Sequence, residues 1–207
     1  RTGRTGSTWR RSTTSGETGL KYAGRMTLVT TPTDGPLATI TIDSPPLNLF
    51  EAQMIGELSQ AIEALHADPP RALLIQAKGE VVSGGVNVEE FKGLNPSQGS
   101  ALWSDLLGLI DRVESLPLPV VFRAHGLTLT AAFELSLACD FIVASESAKF
   151  GLVEIVVGLT PSMGGTQRLA ERAGSGRARQ FVMTGGLYDA ATMERWNVVN
   201  YVWPDDQ

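Results

Sequence analysis

Cysteine and histidine are almost missing from this 207-residue sequence: Cys139 stands alone, and His66 and His125 are the only histidines. One thiol forms no internal disulfide, and two separated histidines with one cysteine make no zinc spacing, so a disulfide scaffold and a structural metal site are excluded. No uninterrupted apolar run approaches the roughly 20 residues of a bilayer span, so no membrane segment is expected. Positive charge is also in short supply. The chain carries 17 Lys/Arg against 22 Asp/Glu, net −5, and six of the basic residues fall within 1–25 beside Glu17 alone, which leaves 26–207 at net −10. An acidic body argues against nucleic acid as a partner. What remains, 43% hydrophobic and 19% charged residues, fits an ordinary globular chain with enough length to bury one sizeable core.

Residues 1–25 are rich in Arg, Ser, Thr and Gly and show neither period 2 nor period 3.6, so they read as a disordered leader or upstream segment, with Met26 as a natural start. From there strands alternate with helices. Residues 26–31 and 37–43 read as a hairpin across the turn Thr33-Asp34-Gly35-Pro36, with Ala38, Ile40 and Ile42 on one face and Leu37, Thr39 and Thr41 on the other. Met54, Ile55, Leu58, Ile62 and Leu65 recur at helical spacing within 51–66. The run 72–77 reads as a strand covered on both faces. A helix over 97–115, a strand over 120–122, a helix ending near Ala138, a strand over 141–144 and a strand-like stretch over 198–202 follow. This order predicts a layered α/β protein, whose functional loops sit at strand ends and helix starts.

Three such loops carry polar chemistry. In Ser83-Gly84-Gly85-Val86-Asn87 the glycines let backbone N–H groups approach a ligand, and Asn87 suits the N-cap of the short segment 88–91. Glycine pairs are also common punctuation, so an anion- or carbonyl-binding loop and a plain turn both stay open. In the second loop Thr130, Ala131 and Ala132 open a helix, with Glu134 in its first turn on the side of Ala131. Its apolar neighbours predict burial, and a buried carboxylate is costly without a partner or a function. The alternative is a residue favoured only by the helix dipole. His125 reads as a loop or core histidine and Cys139 as packing. In the third loop Glu154 is the only charge between Lys149 and Arg168. Desolvation there would raise its pKa toward neutrality, as a proton-exchanging group needs, unless it faces outward on an edge strand.

Phe150-Gly151 with Glu154, then Gly158-Leu159-Thr160-Pro161 and Gly164-Gly165-Thr166-Gln167-Arg168-Leu169, resemble the F-G-x-P-E, G-x-x-P and G-G-T-Q-R-L signatures of the crotonase superfamily, also called the enoyl-CoA hydratase/isomerase family. Residues 82–87 are similar to its F-S-A-G-A-D, and 125–140 to its stretch N/H-G-x-x-x-G-G-G-x-E-L-A-x-x-C-D. The three matches stand in the family's order over essentially Met26 to Asp206.

The resemblance implies a crotonase-like layered ββα spiral fold, with 26–207 as its N-terminal core and the C-terminal helical part missing. It also implies an acyl-CoA hydro-lyase of fatty acid metabolism, cytoplasmic, and a homotrimer or hexamer when full length. The backbone N–H groups of Gly84 and Ala131 would form an oxyanion hole for the thioester carbonyl, and Glu134 and Glu154 would activate one water and deliver one proton. Ser83, Gly85, Val86 and Asn87 would bind substrate. Coenzyme A enters as part of the substrate, with no separate cofactor and no metal. An isomerase or decarboxylase of the same family, or a weakly active acyl-CoA-binding scaffold, is the alternative. Thr130-Ala131-Ala132 stands where the family usually has three glycines, which places a Cβ at the second oxyanion donor.

Overall fold

A computed structural model describes residues 27–206, so the reading of 1–25 as a disordered leader lies outside the described residues. The hairpin forms in three short pieces. Strands β1 (Val29–Thr30) and β2 (Thr33–Asp34) both pair antiparallel with β3 (Leu37–Ile42), Val29 opposite Ile42 and Asp34 opposite Leu37. Ala38, Ile40 and Ile42 are fully buried as expected for β3; on the opposite face exposure declines along the strand, from exposed Leu37 through half-buried Thr39 to buried Thr41.

Helix α1 (Ala52–Ala67) follows and buries Met54, Ile55, Leu58, Ile62 and Leu65, the stripe read from the sequence. Strand β4 (Ala72–Ala77) lies parallel to β3, but only Leu73 and Ile75 are fully enclosed. Leu74 and Gln76 are half-buried, so the strand is not covered equally on both faces as its apolar run predicted. Helix α2 (Pro96–Glu114) begins at a capping box in which Asn95 and Gln98 exchange side-chain bonds, with Pro96 at the first helical position.

The remaining elements are β5 (Val120–Ala124), β6 (Leu127–Leu129), α3 (Ala131–Leu137), β7 (Phe141–Ser145), β8 (Lys149–Gly151), α4 (Gly165–Ala173), α5 (Ser175–Thr184), β9 (Tyr188–Asp189), α6 (Ala190–Arg195) and β10 (Tyr201–Trp203). In the main sheet the order is β1-β3-β4-β5-β7-β10, parallel from β3 onward. The last strand begins later than the 198–202 expected, because Val198 and Val199 are buried in the turn before it.

A second, narrower layer runs beside the first. It contains β6 parallel to β8, β9 antiparallel to β8, and two isolated parallel bridges, Phe50 with Val86 and Ser83 with Thr128. Each turn of chain thus contributes a long strand to the main sheet, a short strand or bridge to the second layer, and then a helix: β3, Phe50 and α1; β4, Ser83 and α2; β5, β6 and α3; β7, β8 and α4. This is a ββα spiral. Beneath the second layer Phe133 packs on Phe150 and Phe181 with ring centroids 5.4 Å apart in each case, which ties α3 to β8 and α5.

Candidate active site

The spiral brings the three loops together. The Ser83–Thr128 bridge lays the 83–87 loop along β6: Ser83 N–H donates to Leu127 O at 3.0 Å, and Leu129 N–H donates to Ser83 O at 3.2 Å. A few residues further on, Gly85 lies against Thr130, and a Cβ at Gly85 would overlap the Thr130 hydroxyl. Only glycine permits this approach.

Thr130 itself pays a conformational cost. Its backbone sits at φ 47°, ψ −115°, a region that β-branched residues avoid. Its Oγ1 is buried without a hydrogen-bond partner. The backbone N–H donates to Gly151 O at 2.8 Å, and the carbonyl accepts from Glu134 N–H at 2.8 Å, so the surroundings hold the strained geometry in place.

A cavity of about 220 Å³ opens where these loops meet the turn after β8, and Gly84, Val86, Trp103, Glu134, Glu154 and Met163 are among its walls. Two larger open hollows, of about 880 and 720 Å³, lie elsewhere on the surface and contain neither glutamate. The small cavity is largely apolar, with Phe91 stacked on Trp103 at 5.0 Å along one side. At this size it suits the reacting end of a ligand rather than a whole drug-sized molecule.

The two carboxylates at this cavity have opposite surroundings. Glu134 is 2% exposed, and its Oε1 accepts two backbone N–H bonds, from Met163 and from Gly165, each 2.9 Å long. Burial raises its pKa overall, and the two N–H bonds and the nearby Arg168 cation offset that rise only in part. Glu154 does not stand on an edge strand. It opens a 3-10 turn, Glu154–Val157, where its Oε2 is buried with no partner. Desolvation, assisted by the charge of Glu134, pushes its pKa up to about 7.

The two N–H groups expected to form an oxyanion hole differ in their partners. Gly84 lines the cavity, but its N–H already donates to Leu47 O at 2.8 Å. The turn around Asn48, whose side chain binds Ser44 N–H and the carbonyls of Lys78 and Val81, directs the Leu47 carbonyl at it. The fully buried Ala131 has the first N–H of α3, and that donor has no partner among the described residues.

Of the four residues expected to bind substrate, only Val86 lines the cavity. Ser83 is fully buried as a clamp, its Oγ donating to Asn48 O at 2.7 Å and accepting from Gly85 N–H at 2.9 Å. Gly85 O accepts from Phe50 N–H at 2.9 Å. Asn87 turns away: it caps the 3-10 turn Val88–Phe91 through Glu89 N–H, as its sequence position predicted, and donates to Glu51 Oε1 at 3.0 Å.

His125 and Cys139 behave as read. His125 bonds Gly79 O in a loop, and Cys139 is buried with its Sγ on Leu135 O and its pKa pushed up by burial. Sequence reasoning named Thr130 but missed its strained backbone and unpaired hydroxyl, and it missed Trp103 and the paired N–H donors of Met163 and Gly165. The Gly164-Gly165 pair was visible as a motif, but nothing in it named a partner on α3. Among the described residues no group of three or more His, Cys, Asp or Glu is placed to hold a metal ion, and no helix is long and apolar enough to cross a membrane.

A family model described as Enoyl-CoA hydratase/isomerase matches residues 33–207. A probable enoyl-CoA hydratase of Rhizobium meliloti is 36% identical over 177 residues, covering 84% of this chain and 68% of the relative. One of Bacillus subtilis is 32% identical over 162 residues, covering 77% and 63%. The chain thus spans about two thirds of the length of these curated relatives. Among solved structures, the enoyl-CoA hydratase of Bacillus anthracis superposes with a TM-score of 0.80 at 29% identity, covering 86% of this chain and 70% of that one. A Geobacillus kaustophilus structure superposes at 0.81 with 30% identity, covering 86% and 70%. The spiral, the matched span and the relatives agree with the motifs, and the chain belongs to the enoyl-CoA hydratase/isomerase family, the crotonase superfamily.

Proposed function

We propose that the protein binds an acyl-CoA thioester and adds water reversibly across its α,β double bond. The observation that carries this reading is the pair of glutamates on one small apolar cavity with opposite hydrogen-bond status. Glu134, whose Oε1 is held by two N–H donors, has support for its ionised form and serves as the base. Glu154, with an unpartnered oxygen and a pKa of about 7, has a substantial protonated fraction near neutrality and serves as the acid.

In the forward direction Glu134 takes a proton from water, and the hydroxide oxygen bonds to the β-carbon. The π electrons move to the thioester oxygen as an enolate, and Glu154 then gives its proton to the α-carbon. The unpaired Ala131 N–H is the donor available to the enolate oxygen; Gly84 N–H joins it only by leaving Leu47 O. The first proton leaves Glu134 and Glu154 is reprotonated before the next cycle, so the cycle closes without a separate cofactor and the CoA thioester leaves intact in the product. The apolar walls suit an acyl chain without charge.

The test is hydration of but-2-enoyl-CoA, followed by loss of the conjugated thioester absorbance, for the unsubstituted protein, Glu134→Gln and Glu154→Gln. Each substitution should lower the rate about 10²- to 10⁴-fold with little change in thioester binding. The double variant should be no slower than about the worse single one, because either loss disables the same water. Thioester binding without turnover of any acyl chain would favour a scaffold, and dependence on only one of the two glutamates would favour a single-base isomerase.

A further inference from the structure

A cation acts on Glu134 from behind the cavity wall. Arg168, in the first turn of α4, is an interior guanidinium with its side chain 11% exposed. Its Nη2 lies 3.1 Å from Asp111 Oδ1 and 2.5 Å from Glu114 Oε2, both on α2, and its Nε donates to Glu114 Oε1 at 3.1 Å. The Glu114 contact is therefore two-pronged, the geometry that suits guanidinium best. Its Nη1 turns the other way and donates to Met163 O at 3.4 Å.

Between Arg168 and Glu134 lies the turn Met163-Gly164-Gly165, and both glycines are in contact. A Cβ on Gly164 would overlap Arg168 Nη1, and one on Gly165 would stand 2.6 Å from Glu134 Cγ. The turn is thus a thin spacer, with the guanidinium on one side and the glutamate on the other. The two N–H groups that bind Glu134 Oε1 come from the residues flanking Gly164.

We propose that Arg168 is a positioning residue for Glu134: anchored to α2 through Asp111 and Glu114, it fixes the 163–165 turn so that both N–H donors reach Oε1 and favour the ionised carboxylate against its apolar surroundings. This rests on Glu134 being the base of the proposed reaction, but the geometry of the clamp stands apart from turnover. The charged groups facing Glu134 are Arg168 from α4 and Glu154 from the 3-10 turn; Asp111 and Glu114 of α2 stand behind Arg168, and β6 (Leu127–Leu129) brings none. Lysine in place of Arg168 would supply the charge without the fork that spans Glu114, Asp111 and Met163 O together.

The test compares the unsubstituted protein with Arg168→Lys and Arg168→Met in two measurements: carbon-13 NMR titration of the Glu134 carboxyl, and the pH dependence of kcat/KM for but-2-enoyl-CoA hydration. The Glu134 midpoint should rise by about half a unit in Arg168→Lys and about one unit in Arg168→Met, the full cation shift being cut by its two acidic partners. On the acid limb kcat/KM should fall about threefold to tenfold, with the loss shrinking as pH rises and KM unchanged. An unmoved midpoint in folded Arg168→Lys overturns the proposal, as does a loss equal at every pH or failure of both variants to fold. If the unsubstituted protein hydrates nothing, the hydratase reading falls while the NMR titration still decides the clamp.

Discussion

Replacing Glu154 by glutamine should stabilise the protein in a pH-dependent way, and the size follows from the site. The carboxyl is held at about 7 against an ordinary 4.5 because its surroundings oppose charge. Each unit corresponds to about 1.4 kcal/mol, so the full shift is worth about 3–4 kcal/mol. Glu154 is half-buried, and solvent screening brings the expected contribution down to about 1–2 kcal/mol. Below about pH 4.5 the group is protonated in folded and unfolded chains alike and carries no penalty. Between there and about 7 the folded state holds a proton that the unfolded state has released, so stability falls as pH rises and flattens above about 8. Glutamine has no such proton. Thermal unfolding of both proteins at pH 5, 6, 7 and 8 should show Glu154→Gln gaining on the unsubstituted protein by about 2–6 °C across that interval, most of it between pH 5 and 7. A difference that stays constant with pH, or one in which the glutamate form gains as pH rises, would refute the claim that burial holds this carboxyl neutral. The same substitution removes the proposed acid, so a more stable and less active protein is the combined signature.

Gly165→Ala should leave the fold intact but push Glu134 off its two N–H donors, because the new Cβ would lie 2.6 Å from Glu134 Cγ and 2.9 Å from Oε1; losing one charge-assisted bond costs about 1.5–3 kcal/mol, a tenfold to hundredfold fall in kcat/KM, whereas Gly176→Ala, with nothing within 4 Å of its Cβ, should leave turnover unchanged. Thr130→Gly should keep or raise the melting temperature although a buried side chain is lost, since release of about 1–3 kcal/mol of backbone strain and removal of an unpaired hydroxyl outweigh about 1 kcal/mol of added chain entropy; a fall of more than about 4 °C on thermal unfolding would show that Thr130 is not strained.

Local pattern carried most of the architecture. The β3 face of Ala38, Ile40 and Ile42 and the α1 stripe from Met54 to Leu65 were legible because burial there follows one element's own periodicity. The second layer was not. Strands β6 and β8 have three residues each, and the Ser83–Thr128 bridge has one on either side, too short for a period-2 signal. Their pairing is decided by how successive turns of the spiral stack, information that no single segment holds. The same limit applies to Gly84. Its pair of glycines advertised an accessible N–H, but whether that donor is free depends on Leu47, 37 positions earlier, whose carbonyl claims it.

The two glutamates show where the boundary lies. Glu134 was legible as a buried carboxylate because every neighbour in α3 is buried too. That it keeps a means of staying charged was not, since both N–H donors come from residues 29 and 31 positions later. Glu154 was legible as a lone charge among aliphatics, and here the local reading nearly sufficed: nothing distant arrives to satisfy Oε2. One carboxylate thus differs from the other by what the rest of the chain brings to it. A base that must hold its charge needs donors fixed by tertiary structure, whereas an acid that must stay protonated needs only to be left alone in an apolar place. The asymmetry between the pair follows from which of the two is reached by the turn Met163-Gly164-Gly165, and that turn is placed by the packing of α4 against α3 and by the ion pairs of Arg168 to α2.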